Sequence, residues 1–247
     1  MTKRYRELII NRPWLMLLIG ISFTIICSFG LGGLSQNPDN RIFFSEKDPN
    51  LLALEKLERT YTKNDNLFIM IAPKDGVVFT SKNLAIIREL TKNLWQTPAS
   101  IRVDSITNFQ WTRADGDNII ISDLVPEGLI AEETVENVRR IALSEPLLID
   151  SLISPNGSFT GINVTIIKPD DAIEAGNVVK EIMDFIRPIH AQLKEKHPDL
   201  DFYITGGVPL TMAFTEVSLS NMGLLTPLML LVIFLVAGFS LRSFLGA

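Results

Sequence analysis

Residue types that do chemistry are sparse in this chain. The two histidines, His190 and His197, are seven residues apart, two turns along one helix face. A chelating pair sits four apart and needs further ligands, so this spacing makes no metal site. Asp115, Asp117 and Asn118 begin like a calcium loop, but the glycine and distant glutamate of such a loop are not in place, and the segment reads as a turn. There is no G-x-S-x-G nucleophile elbow and no G-x4-G-K-[ST] phosphate loop. The single cysteine, Cys27, lies in an apolar run rather than an electropositive pocket. No catalytic, metal-binding or cofactor-binding residue is assigned, no cofactor is expected, and the chain is not read as an enzyme.

The remaining candidates act through shape. Gly206, Gly207 and Pro209 stand where a strand must end and a helix must begin. They read either as a hinge, since closing motions concentrate at a few element-terminal residues, or as an ordinary turn and helix start. At least one of the glycines is expected at positive φ. Gly20, Thr24, Ser28 and Gly32 recur every four residues and form a stripe of small side chains along which another helix can approach closely.

The elements that carry these residues divide by hydropathy. No charged residue lies between Pro13 and Pro38, and Trp14 to Leu34 gives 21 residues of mostly apolar type, the length of a membrane-crossing helix. That stretch exceeds the core of a signal peptide, and no small-x-small cleavage site lies in a polar flank after it. A second uncharged run lies between Glu216 and Arg242, centred on Met222 to Leu241. Lys3, Arg4, Arg6 and Arg12 precede the first run and Arg242 follows the second, so both ends are expected in the cytoplasm. The expected order is a cytoplasmic N-terminus (1–12), a first span (13–34), an extracytoplasmic domain (35–208), a helix entering and forming the second span (209–241) and a cytoplasmic end (242–247).

Residues 35–221 hold 18 basic and 27 acidic residues, a net charge of −9. Such a surface does not neutralise phosphates, which excludes nucleic acid as a partner. With no cysteine outside the first span, this domain must be held by its core alone.

Within it, Asp48-Pro49 reads as a helix start, with Leu51, Leu54 and Leu57 behind it and an end near Tyr61. Asn66 to Ala72 reads as a buried strand. Thr80 or Ser81 caps a helix with Leu84, Ile87, Leu90 and Leu94 inward. Ile101, Val103, Ser105 and Thr107 suggest a strand, and Ile119 to Ser122 another. Glu132 to Leu143 reads as a helix, Asn156-Gly157 as a turn and Thr160 to Ile167 as a strand. Ala172 to Lys196 reads as a long helix that Pro188 should kink, and Asp201 to Thr205 as a closing strand. The order implies an α+β fold of split β-α-β (ferredoxin-like) units, either two subdomains or one composite of them.

The stretch Thr205 to Ala247, with Gly206-Gly207, Pro209 and the ending Leu241-Arg242-Ser243, resembles the second transmembrane helix of the resistance-nodulation-division (RND) superfamily, in particular its MMPL or hopanoid-exporter-like branch of lipid exporters. Phe43-x4-Asp48-Pro49, Val77-Val78-Phe79-Thr80 and Val103-Asp104-Ser105-Ile106-Thr107-Asn108 fall in the corresponding order. The resemblance implies a porter-type external domain and a proton-driven exporter of lipids or hydrophobic compounds in the bacterial inner membrane. Its partners would be the lipid bilayer, a hydrophobic or lipid substrate and the remaining transmembrane helices of a full-length transporter of about twelve spans. Homo-oligomer formation stays open. Family members carry their proton-relay acids in later helices, and neither run here contains an Asp, Glu, His, Lys or Arg, so no transport is expected from this chain alone. The alternatives are a two-span membrane sensor and a tethered adaptor with an external ligand-binding domain.

Overall fold

A computed structural model describes residues 13–29, 44–45, 47–61 and 65–241. Residues 1–37 and 38–247 form separate units, each taken by itself. In the first, α1 (Pro13–Phe29) is a helix of 17 uncharged residues within the expected first span. Of the small-residue stripe, Gly20 lies on this helix, whereas the side chains of Thr24 and Ser28 and all of Gly32 are outside the described residues.

In the second unit, Asp48 starts α2 (Pro49–Tyr61) as its sequence predicts: Asp48 Oδ1 accepts the backbone N–H groups of Asn50 at 2.8 Å and Leu51 at 3.3 Å. The apolar run after it becomes β1 (Asp65–Pro73), in which every second residue from Leu67 is buried. Thr80 then caps α3 (Ser81–Leu94) by accepting the N–H of Asn83 at 3.0 Å. The strand β2 (Ser100–Asp104) follows.

The second β-α-β unit is β5 (Thr160–Ile166), α5 (Ala172–Lys196) and β6 (Leu200–Thr205). The strand order β2-β5-β1-β6, antiparallel at every step, interleaves the two units. This is a split β-α-β arrangement. The outcome is therefore the composite, one sheet in place of two subdomains. The reason lies in β1 and β5, whose apolar sequences gain a hydrogen-bonded neighbour on both sides only when the units merge.

The covered face of the sheet carries Leu67, Ile69 and Ile71 of β1, Ile162, Val164 and Ile166 of β5, and Phe202 of β6, all at most 2% exposed. The predicted inner face of α3, Leu84, Ile87, Leu90 and Leu94, packs here, as do Val179, Ile182 and Ile186 of α5. Each such side chain contributes about 1.5–3 kcal/mol through burial. Pro188 does not end α5. It lies on the exposed side, as does Asp184, the residue whose carbonyl loses its N–H partner.

Residues 105–159 are inserted between the two units. Ser105 and Thr107 do not extend β2, because their hydroxyls turn inward onto Thr91, with Thr91 Oγ1 donating to Ser105 Oγ at 2.9 Å. Asn108 supplies the bonds a strand would have made, accepting from Ser105 N at 2.8 Å and donating to Val103 O at 2.7 Å. A hairpin follows, β3 (Gln110–Asp115) and β4 (Asn118–Asp123). Its two-residue turn is Gly116-Asp117, so Asp115, Asp117 and Asn118 are the turn segment. Then α4 (Glu132–Ala142) packs through Val138, Ile141 and Ala142.

The last element, α6 (Gly207–Leu241), has 35 residues and is about 50 Å long at ~1.5 Å per residue. Its segment Gly207–Val236 is long and apolar enough to cross a membrane, and its apolar window is unburied by the domain.

Candidate functional site: the joint between sheet and membrane-length helix

At the end of β6 the chain must turn from sheet to helix without a loop. Gly206 does this at φ +113°, a conformation that L side chains rarely adopt. A Cβ there would lie 2.6 Å from the backbone oxygen of Asn66 on β1. The expected positive-φ glycine is thus Gly206, while Gly207 is the first residue of α6. Pro209 falls in the first turn, where its missing N–H costs no helical bond. The helix starts two residues before the expected Pro209, a shift within the usual spread of helix ends.

Three attachments hold this start. First, the N–H of Gly207 donates to Asn66 Oδ1 at 3.1 Å, so α6 is capped by a side chain from the middle of the sheet. Asn66 Nδ2 donates in turn to Asn163 Oδ1 on β5 at 3.0 Å. Beside it, the partly buried ion pair of Asp65 and Lys168, at 2.9 Å, places a carboxylate near the positive end of the α6 dipole.

Second, Val208 is fully buried and Thr211 nearly so, seating the first turns in the core. The Thr211 hydroxyl is satisfied within the helix, donating to Gly207 O at 2.8 Å. Third, Arg187 of α5 donates from Nη2 to both carboxylate oxygens of Glu216, at 2.7 and 2.9 Å. Glu216 is the last charged residue before the uncharged run. Tilting α6 about Gly206 would therefore break a cap, withdraw a buried valine and open an ion pair.

The three sequence candidates Gly206, Gly207 and Pro209 meet at this joint. Asn66, Asp65, Lys168, Arg187 and Glu216 are additions from the structure. Only Asn66 left a sequence signal, as the polar first residue of an otherwise apolar run. The histidines act separately. His190 Nε2 donates to the Phe202 carbonyl at 2.9 Å and ties α5 to β6, whereas His197 ends α5, its N–H bonded to Leu193 O. Burial and the nearby Lys196 ammonium hold the His197 imidazole below its ordinary pKa. Among the described residues, no three His, Cys, Asp or Glu side chains converge as metal ligands would. Neither protein-family models nor curated proteins gave a match to this chain.

Proposed function

We propose that this chain is the membrane-anchored external module of a proton-driven exporter of lipids or hydrophobic compounds, of the RND type that its sequence resembles. The observation carrying this reading is the continuity of α6, which starts inside the sheet's core and runs without interruption into the uncharged segment. A helix seated this firmly transmits displacement in the membrane to the sheet rather than absorbing it. The α1 segment supplies the other span, with the domain of 35–208 outside and both ends in the cytoplasm.

The two apolar runs have no Asp, Glu, His, Lys or Arg, so proton flow belongs to further transmembrane helices associated with this module. The test is accumulation of a hydrophobic dye in cells of the source organism with and without the gene. Deletion should raise accumulation, restoring the gene should reverse it, and a proton ionophore should abolish the difference. Equal accumulation with and without the gene, before any ionophore, would overturn the reading.

A further inference from the structure

The insertion between the two β-α-β units forms a cleft of about 560 Å³ between the β3–β4 hairpin and α4. That volume is in the range of small-molecule sites. Its apolar wall includes Trp111, Leu124, Val138 and Ile141, and its rim carries Arg113 and Arg140. The Arg113 guanidinium lies over the Trp111 ring, 5.1 Å from the ring centre. This cation–π contact occupies none of the guanidinium N–H groups with a hydrogen-bond acceptor, which leaves them for a ligand. Arg140 Nη2 donates to Asn137 Oδ1 at a long 3.5 Å.

Among the described residues, neither arginine has a carboxylate within ion-pair distance, in a region whose net charge is −9. The cleft has two acids of its own. Glu127 is neutralised by Lys92 at 2.6 Å, which also holds its carboxyl below the usual range. Asp123 accepts from the Gln110 amide, a neutral partner. The balance is two guanidiniums against one carboxylate, above an indole and a floor of buried aliphatic side chains. Arg88 fixes the adjoining wall from α3 by donating to the carbonyls of Pro126 and Gly128.

We propose that this cleft binds a small organic anion with an apolar ring or chain, its carboxylate or phosphate taken by Arg113 and Arg140 and its apolar part by Trp111, Val138 and Ile141. The site lies on the insertion rather than at the joint, and it stands whether or not the chain serves an exporter.

The test uses the full chain in neutral phosphatidylcholine nanodiscs, titrated calorimetrically with 2-naphthoate, 2-naphthyl phosphate, the neutral 2-naphthalenemethanol and the cationic 2-naphthylmethylammonium. At least one of the two anions should bind saturably, and which one identifies the head group. The neutral and cationic analogues should bind weaker by about tenfold or more, as should the preferred anion to the Arg113→Gln/Arg140→Gln variant. Asp123→Asn, which removes the opposing carboxylate and keeps its shape, should tighten anion binding. Absence of saturable binding by both anions, equal binding of the cation, or an Asp123→Asn variant that binds no tighter would overturn the proposal.

Discussion

Arg187 Nη2 lies 2.7 and 2.9 Å from the two carboxylate oxygens of Glu216, joining α5 to α6 where the helix leaves the domain. Both side chains are nearly half exposed, at 47% and 45%, so the pair adds only about 0.2–1 kcal/mol to stability. Its importance is positional. Arg187→Gln and Glu216→Gln should each cost that small amount, with the double variant costing no more than either single one. The exchange Arg187→Glu/Glu216→Arg should restore most of the loss. Unfolding midpoints of the parent and the four variants in nanodiscs decide this, and strictly additive losses would show that the pair is not coupled.

Gly206 and Gly207 are adjacent, yet a methyl group at each meets different surroundings. At Gly206, the strained φ and the Asn66 backbone oxygen 2.6 Å from the new Cβ should make alanine cost about 2 kcal/mol or more. At Gly207 the nearest atom is Asp65 Oδ1 at 3.1 Å, on a carboxylate that can turn, and alanine favours the helix. Gly207→Ala should therefore stay within about 1 kcal/mol of the parent. Thermal unfolding of both variants checks this, and a reversed order would refute the assignment of strain to Gly206.

The sequence shows local devices well and cross-chain ones poorly. Asp48 and Thr80 announce their helices because a cap is bonded within three residues. The face Leu84, Ile87, Leu90 and Leu94 is legible because period alone places it inward. The strand Gln110–Asp115, QWTRAD, is invisible, since its polar residues alternate with no apolar face and its strand character comes from pairing with β4. Likewise, nothing local distinguishes one four-stranded sheet from two smaller ones. The bond from Asn66 to Asn163 spans 97 residues, and Arg187 to Glu216 spans 29. At the joint, sequence locates the glycine pair, but only backbone geometry tells which glycine turns the chain.

Ala99 holds φ +56° in the turn from α3 to β2, a left-handed conformation that costs an alanine about 1–2 kcal/mol. Glycine removes that strain and adds some entropy to the unfolded chain, so Ala99→Gly should stabilise by about 0.5–1 kcal/mol. Loss of stability in a thermal scan would contradict the backbone assignment there.

The end of α5 should respond to acid. Burial and then Lys196 depress the His197 pKa in the folded state from its ordinary 6.5, with Lys82 adding to the effect and Asp199 and Glu89 opposing it. The unfolded chain therefore binds the proton more readily, and stability rises with pH across this window. The contribution is complete above 6.5 and is lost as pH falls through the folded value. His197→Gln should lose less stability than the parent between about pH 7.5 and about pH 5.5. Unfolding midpoints at the two pH values measure this, and equal losses would contradict it.

The proposed topology places the domain outside the membrane, carried by two spans whose ends are cytoplasmic. Asn156 lies in an exposed turn of the insertion, where a fused protein can be accepted without disturbing the sheet. Alkaline phosphatase, which is active only outside the cytoplasm, should be active when fused at Asn156 and inactive when fused after Ala247. An inactive fusion at Asn156 together with an active one after Ala247 would contradict the account.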